Sequence, residues 1–581
     1  VRKTDQPQRP HRSLHLLLQN LPEKIIQLSA QNGMLGGMNP SIGIVTLNAK
    51  FIHSSLSLRY LRNAARRAGF ENVWIQEFII NQPVWKIAAE ILKQEPDVLG
   101  LSVYIWNRKQ SFELLEHLQK QRPEMKIVLG GPEVSFESKL PDSYTLIAGE
   151  GENKWVEYLN ITAKGETPSL EVLKRWNTYG NDLPDLYPPY IEEDYPQLKN
   201  RYAYIEASRG CPYLCSFCLS ALDKKVRYFD DTDIRQQIQR LIDNGTHKIK
   251  FVDRTFNLQP KRMMSLMQWL TQFDGTEFHF EVVGDLLNND MMNFLATVPQ
   301  GMFQFEIGIQ TTTEEVQDTI HRKQSNTKLF NTIQTLIQQD RVHLHCDLIF
   351  GLPGETLDEL MESFTEVLKL KPHELQLGFL KFLPGAPIRD KIESHEYRYL
   401  SFPPYEFLSH KDLSAKEVRF LKQFNETFDL FYNSKRFQFS LDRLLQNQLP
   451  VEVFKKLMAA LEKENRVLNA LSLDHQYRIF AETFCLESDP LAWDLLQLDF
   501  LYHQRSFRLP GFMNARLASN GRTKTWDGDR KTMVVPFRHT LEWQGPEPKL
   551  TPAPSPVYYA VAHADTGSGY ISRPRIERVE A

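Results

Sequence analysis

Short, near-continuous apolar runs alternate with amphipathic helical stretches twice along this chain, and that alternation restricts its fold more than any other feature. The first series holds "SIGIVTLN", "NVWIQEF", "DVLGLSVY", "KIVLGG" and "SYTLIAGEGE", separated by patterns such as "SSLSLRYLRNAARRAG" and "SFELLEHLQKQRP". Strands apolar on both faces and linked by helices form a parallel sheet covered on both sides, here a doubly wound α/β domain. Such a sheet takes ligands outside the carboxyl ends of its strands. There the sequence places Asn48, Ser102, Gly130, Gly131, Gly149 and Gly151. A second series opens at Tyr202 with "YAYIEAS", "HKIKFVD", "EFHFEVVG", "FQFEIGIQ", "VHLHCDLIFG" and "ELQLGFLKF". Six βα units in succession predict a partial parallel barrel, shorter than the eight-fold kind.

These patterns divide the 581 residues into an N-terminal extension (1–40), a doubly wound domain (41–163), a linker (164–200) and a barrel (201–400). Aromatic-rich helical stretches such as "KEVRFLKQFNETFDLFYNS" and "VEVFKKLMAALEKEN" then predict a helical domain (401–513). The Gly-, Pro- and Thr-containing end (514–581) reads as an irregular tail. The first residues are basic but lack an apolar core and a small-residue cleavage site, so no signal peptide is expected; Met34 or Met38 marks the expected start of the folded part. No apolar run approaches the roughly 20 residues of a membrane span. A net charge of −3 gives no general attraction for nucleic acid or an anionic membrane, so neither is an expected partner.

Alternation along the barrel strands separates two faces. Phe303, Phe305, Ile307 and Ile309 share one face of "FQFEIGIQ", and Gln304, Glu306, Gly308 and Gln310 the other. In "VHLHCDLIF", Val342, Leu344, Cys346, Leu348 and Phe350 oppose His343, His345, Asp347 and Ile349. Phe278, Phe280 and Val282 likewise oppose His279, Glu281 and Val283. The apolar face must meet the covering helices, so the polar face turns inward. A packed barrel interior would have to pair each of these groups, because burying an unpaired carboxylate costs several kcal/mol. The lumen is expected to hold a polar ligand, with Glu306, His343 and His345 as candidate contacts.

Three of the five cysteines, Cys211, Cys215 and Cys218, fall within "CPYLCSFC". Such clustering does not suit a secreted disulfide framework and points to a reducing compartment, the cytoplasm. One loop with this spacing can wrap three thiolates around an inorganic centre. A zinc site needs a fourth ligand close by, commonly from a second Cys pair, and none follows. A three-cysteine iron–sulfur cluster with one open iron fits better than zinc or inert thiols.

With Phe217 before the last cysteine and a first barrel strand before the loop, this motif resembles the radical S-adenosylmethionine superfamily. The resemblance implies that Cys211, Cys215 and Cys218 hold a 4Fe-4S cluster whose open iron chelates S-adenosylmethionine, the missing fourth ligand. Reductive cleavage then gives a 5′-deoxyadenosyl radical. "FVDRTFN", "FEIGIQT" and "DLIFGLPGET" resemble later strands of the superfamily. By that similarity Asp253 lies where the methionine amino group is held, Glu281 and Gln310 near the ribose, and Ile349 beside the adenine. The usual Gly-Gly-Glu is not present as such.

The first domain resembles the cobalamin-binding domain, Rossmann-like in fold, that precedes many of these enzymes, with Ser102, Gly130 and Gly131 at the places that approach the nucleotide tail. The Asp-x-His-x-x-Gly loop that supplies a lower cobalt ligand is absent; "LNAKFIHSSL" offers only His53. Cobalamin is therefore expected without imidazole coordination, and a purely structural domain is the alternative. The stretch after about residue 400 resembles an uncharacterised C-terminal extension of one branch of these proteins. Together these resemblances imply a cobalamin-dependent radical enzyme that methylates, cyclises or rearranges a small-molecule or peptide substrate, reduced by a donor such as flavodoxin or ferredoxin. tRNA methylthiolation calls for three further cysteines in the first domain, and residues 1–200 contain none. An iron–sulfur electron carrier or redox sensor is the non-catalytic alternative.

Overall fold

The computed structural model describes residues 40–136, 143–176, 188–464, 471–503, 509–514, 523–526, 530–544, 547–562 and 575–579. The expected N-terminal extension, with Met34 and Met38, lies outside the described residues.

The first domain is built on strands β1 (Ile42–Asn48), β2 (Val73–Ile79), β3 (Val98–Ser102), β4 (Lys126–Gly130) and β5 (Tyr144–Ile147). They form one parallel sheet in the order β2-β1-β3-β4-β5. Every residue of β1 is buried, because helices cover both faces. Val45, Leu47, Leu99 and Leu101 enter the core on one side, and Ile42, Ile44, Val98 and Val128 that on the other. The strand order reverses beside β1, which opens a crevice at the carboxyl edge.

Strand β6 (Ala203–Ile205) starts the barrel, and a short antiparallel pair, β7 (Ser208–Arg209) with β8 (Arg227–Tyr228), brackets the cysteine loop. Next come β9 (Lys248–Phe251), β10 (Glu277–Glu281), β11 (Phe303–Gln310), β12 (His343–Phe350) and β13 (Glu374–Phe379). The sheet is parallel throughout in the order β13-β12-β11-β10-β9-β6, a six-stranded partial barrel. Strict alternation of buried and half-buried residues along β11 and β12 puts Phe305 and Cys346 under the helices. Glu306, Gln310, His343, His345 and Asp347 lie on the opposite, lumen face.

The stretch read as a linker is more than a tether. Asp194 is buried and binds the fully buried Arg62 through both oxygens, at 2.7 and 2.9 Å. Arg62 belongs to the helix Leu56–Arg67 of the first domain, so Asp194 locks the entry to the barrel onto that domain. Arg201 extends the contact to Glu77 at 2.7 Å.

A short antiparallel pair, β14 (Arg398–Tyr399) with β15 (Phe407–Ser409), precedes the helical region, whose helices include Ala415–Phe428, Pro450–Lys463 and Pro490–His503. The expected irregular tail requires correction. Its described residues form an antiparallel sheet of β16 (Thr523–Trp526), β17 (Arg530–Gln544), β18 (Glu547–Ala562) and β19 (Arg575–Val579). The prolines that suggested irregularity, Pro548, Pro552, Pro554 and Pro556, precede the part of β18 that pairs with β19. Among the described residues their stretch pairs with β17 alone, the edge position where a missing N–H is tolerated. Buried Asp494 ties β17 to the preceding helix by accepting from Arg538 N at 2.7 Å and bonding His539 Nδ1 at 2.8 Å. Among the described residues no helix is long and apolar enough to cross a membrane.

Candidate active site

The cysteine loop is held at both ends and in the middle. Gly210 has φ +91°, and a Cβ there would meet the Lys225 carbonyl oxygen at 2.3 Å, so only glycine lets the two arms of the loop approach. Cys211 N donates to Asp223 O at 2.9 Å, and Cys218 N to Cys215 O at 3.0 Å, curling the chain between the thiols. Ser216 fastens the loop to the barrel through Ile320 O at 2.9 Å and Ile388 N at 2.7 Å.

Cys211, Cys215 and Cys218 line a single cavity of about 170 Å³, together with Phe217, Glu281 and Gln310. Among the described residues no three Cys, His, Asp or Glu side chains close on one metal ion. The three thiols share the wall of this cavity, sulfur donors of the kind that hold an iron–sulfur cluster. Thr255 Oγ1 lies 3.8 Å from the Cys211 sulfur, and Arg322 Nη1 is 3.9 Å from that of Cys215. Burial raises the Cys215 thiol while Arg322 opposes the shift.

Gln310 has φ +71° where the register of β11 on β12 slips after Gly308. Its amide folds back over Gly308, where a Cβ would stand 2.1 Å from Gln310 Nε2. Gln310 Oε1 is buried with no hydrogen-bond partner, an acceptor left over beside the thiols. Asp347 and Glu281 also face the cavity, and burial pushes them up to about 8 and about 7. Glu306 is held below the ordinary carboxylate range mainly by a hydrogen bond with His279, 3.1 Å away. Three sulfur donors, a spare amide oxygen and partly neutral carboxyls suit a cluster with a polar organic ligand beside it.

Four sequence candidates lie outside this lining: His343 and His345, on the lumen face of β12, and Asp253 and Ile349. Asp253 is 1% exposed and does not line the cavity. Its carboxylate accepts from Ala207 N at 2.9 Å and Ser208 Oγ at 2.6 Å, so it braces the chain leading into the cysteine loop. Ile349 lies on the inward face of β12 opposite Gly378, but outside the cavity lining and against the apolar core. Arg322, Thr255 and Arg254 line the cavity and were missed. Arg322 comes from the loop after the short helix Glu314–Thr319, where strand alternation gives no signal.

A larger cavity of about 490 Å³ opens at the carboxyl edge of the first sheet, lined there by Ser102, Gly130, Gly131, Gly149 and Gly151. Barrel residues Glu206, Arg209, Val252 and Arg254 form its other wall. Gly131 has φ +102°, and a Cβ would strike Val103 O at 2.4 Å, so this glycine serves the crossing of β4 past the end of β3. A Cβ at Gly130 would make only an ordinary van der Waals contact, with Ile147 O at 3.6 Å. That bare edge is a cradle for a large ligand. His53 does not line it; its Nδ1 bonds Tyr204 OH at 2.7 Å. Ion pairs hold the two walls face to face: Arg209 with Glu152 at 2.7 Å and Arg227 with Glu150 at 2.8 Å.

Three family models match the chain. A B12 binding domain matches residues 42–159, the Radical SAM superfamily 205–367, and a protein family of unknown function, DUF4080, 393–532. The cobalamin-dependent radical SAM methyltransferase TokK of Streptomyces tokunonensis is 26% identical over 352 residues, covering 54% of this chain and 51% of that protein. This chain thus spans about half the length of that relative. In fold it is similar to TsrM from Kitasatospora setae, solved with cobalamin and a [4Fe-4S] cluster, at 14% identity and a TM-score of 0.51 over 63% of this chain and 79% of that one. It is also similar to OxsB, solved with aqua-cobalamin and S-adenosylmethionine, at 14% identity and a TM-score of 0.51 over 79% of this chain and 78% of that one. The chain thus combines a B12 binding domain with a Radical SAM domain, in that order.

Proposed function

We propose that this protein is a cobalamin-dependent radical S-adenosylmethionine enzyme that methylates, cyclises or rearranges a small-molecule or peptide substrate. The observation that carries this function is the contact between the two cavities: Arg254 and Ser220 line both. When bound, the cluster and S-adenosylmethionine supply a 5′-deoxyadenosyl radical, and cobalamin supplies a methyl group or a second reactive centre. The residues of the chain do the rest. Cys211, Cys215 and Cys218 are the proposed ligands of three irons. Gln310 and Glu281 offer polar contacts to the ribose of the nucleoside. Ser102, Gly130 and Gly131 leave the edge of the first sheet bare for the corrin and its tail. Effective reaction needs the reacting atoms within about 3–3.5 Å, and two adjoining cavities with a common wall allow one substrate to reach both.

A simple electron carrier would need neither cavity. The proposed partner is an electron donor such as flavodoxin or ferredoxin, and the proposed compartment the reducing cytoplasm, where the five free cysteines would stay reduced. The test is anaerobic reconstitution followed by reduction with S-adenosylmethionine present. About four irons per chain and 5′-deoxyadenosine as product are expected. One tightly bound zinc, or a reconstituted cluster that never yields 5′-deoxyadenosine, would refute the proposal.

A further inference from the structure

We propose that Arg254 anchors an anionic group of the substrate, a carboxylate or a phosphate, at the seam between the two cavities. This deepens the function proposed above and rests on it. Arg254 follows β9 and belongs to the wall of both cavities, so a molecule that spans them must pass it. Although it stands between two domains, its side chain is 58% exposed, and its nearest ion-pair oxygen, on Glu281, is 3.6 Å away. That is beyond hydrogen-bond distance, and among the described residues no hydrogen bond holds its guanidinium.

The other cations lining these cavities are held. Arg209 donates to Glu206 at 2.9 Å and to Glu152 at 2.7 Å. Arg322 donates to Gln324 Oε1 at 3.1 Å and to the Gly308 carbonyl. The remaining charged lining is acidic: Glu150, Glu152, Glu206 and Asp223 around the larger cavity, and Glu281, Glu306 and Asp347 around the smaller. Among the described lining residues Arg254 is therefore the cation left to receive an anion. The planar guanidinium fork matches both oxygens of a carboxylate or a phosphate. One charged contact at the seam, in otherwise acidic surroundings, fixes which end of the substrate stays there and which enters the lumen.

The test is site-resolved labelling of arginine by phenylglyoxal, read by peptide mass spectrometry and normalised to the exposed Arg398. It is run on protein carrying cluster, hydroxocobalamin and S-adenosylmethionine, with sodium acetate or inorganic phosphate as the probe anion. Arg254 should label in the cofactor-loaded protein and be slowed at least about threefold by a probe anion. Protection by acetate alone assigns a carboxylate, by phosphate alone a phosphorylated substrate, and by both the shared chemistry. Labelling indifferent to both anions would overturn the proposal. So would about tenfold shielding by S-adenosylmethionine or hydroxocobalamin alone, since the guanidinium would then serve a cofactor. Formation of 5′-deoxyadenosine by the same preparation reports separately on the underlying function.

Discussion

The guanidinium of Arg209 lies 2.7 Å from the carboxylate of Glu152, which joins the residue two before Cys211 to the first turn of the helix Glu152–Ala163, in the wall of the first domain's cavity. Each side chain is only 11% exposed, so the pair is largely desolvated. Arg209 also stacks between the rings of Tyr60 and Phe229, at 5.4 and 5.5 Å. The relative placement of the two cavities thus depends on a few residues.

Replacing Arg209 with Met should destabilise the protein by about 3–5 kcal/mol, because Glu152 and Glu206 would be left buried without their cation. Burial already pushes Glu206 up to about 7 with Arg209 in place. Chemical denaturation of the variant should show a lower midpoint, and adding Glu152→Gln and Glu206→Gln should restore part of the loss. A midpoint equal to wild type would mean that the pair is not buried in solution.

Glu355, in "GLPGET", is fully buried, and burial pushes its carboxyl up to about 8 despite a hydrogen bond from Thr311 Oγ1. In the unfolded chain a glutamate titrates near about 4.3. Between those values the folded state binds the extra proton, so stability falls as pH rises, by at most about 1.4 kcal/mol per unit. Glu355→Gln should remove this dependence: wild type and variant should diverge in melting temperature as pH rises from about 5 to about 8, the variant being favoured at the high end. Parallel melting curves across that range would show that the carboxyl titrates normally.

Any one of Cys211→Ala, Cys215→Ala and Cys218→Ala should abolish cluster assembly and 5′-deoxyadenosine formation. Cys485 is exposed, and Cys346 is fully buried on the outward face of β12, where burial raises its thiol far above the ordinary range. Cys485→Ala and Cys346→Ala should keep the cluster absorbance and most of the product, the second with a small loss of stability from the lost packing. Loss of the cluster in either would place a fourth protein ligand where none is expected.

Strand parity made much of the barrel legible. In β11 and β12 every second residue is apolar over eight residues, so a one-residue slip would have turned Phe305 and Cys346 into the lumen. The cavity edges were legible as well, because Ser102, Gly130 and Gly131 end strands of an open parallel sheet. What local pattern could not supply were partners made by tertiary contact. Asp253 lies within a strand-end motif, yet Ala207 and Ser208 take its oxygens. Asp194 sits in a stretch without periodicity, and only the fold brings Arg62 to it. The prolines of β18 are breakers by composition and are tolerated because that stretch is an edge.

The last expectation concerns the lower face of cobalamin. His53 is the histidine that the loop after β1 offers, yet it lies outside the cavity lining, and its Nδ1 is committed to Tyr204 OH at 2.7 Å. The contact is fixed from both sides: Arg201 Nε donates to Phe51 O at 2.9 Å, and Ser54 Oγ to Tyr202 O at 2.6 Å. Burial, and then the charge of Lys250, lower the pKa of the imidazole, so it stays neutral near pH 7 and accepts or donates within that contact. Turning it toward the cavity would break the bond with Tyr204 and leave a half-buried phenol without its partner. Electron paramagnetic resonance of the cob(II)alamin form should therefore show no nitrogen superhyperfine splitting that depends on His53. His53→Ala should leave that spectrum and the affinity for hydroxocobalamin within about twofold of wild type. Splitting that appears in the wild type and vanishes in His53→Ala would show that the loop rearranges to deliver the imidazole.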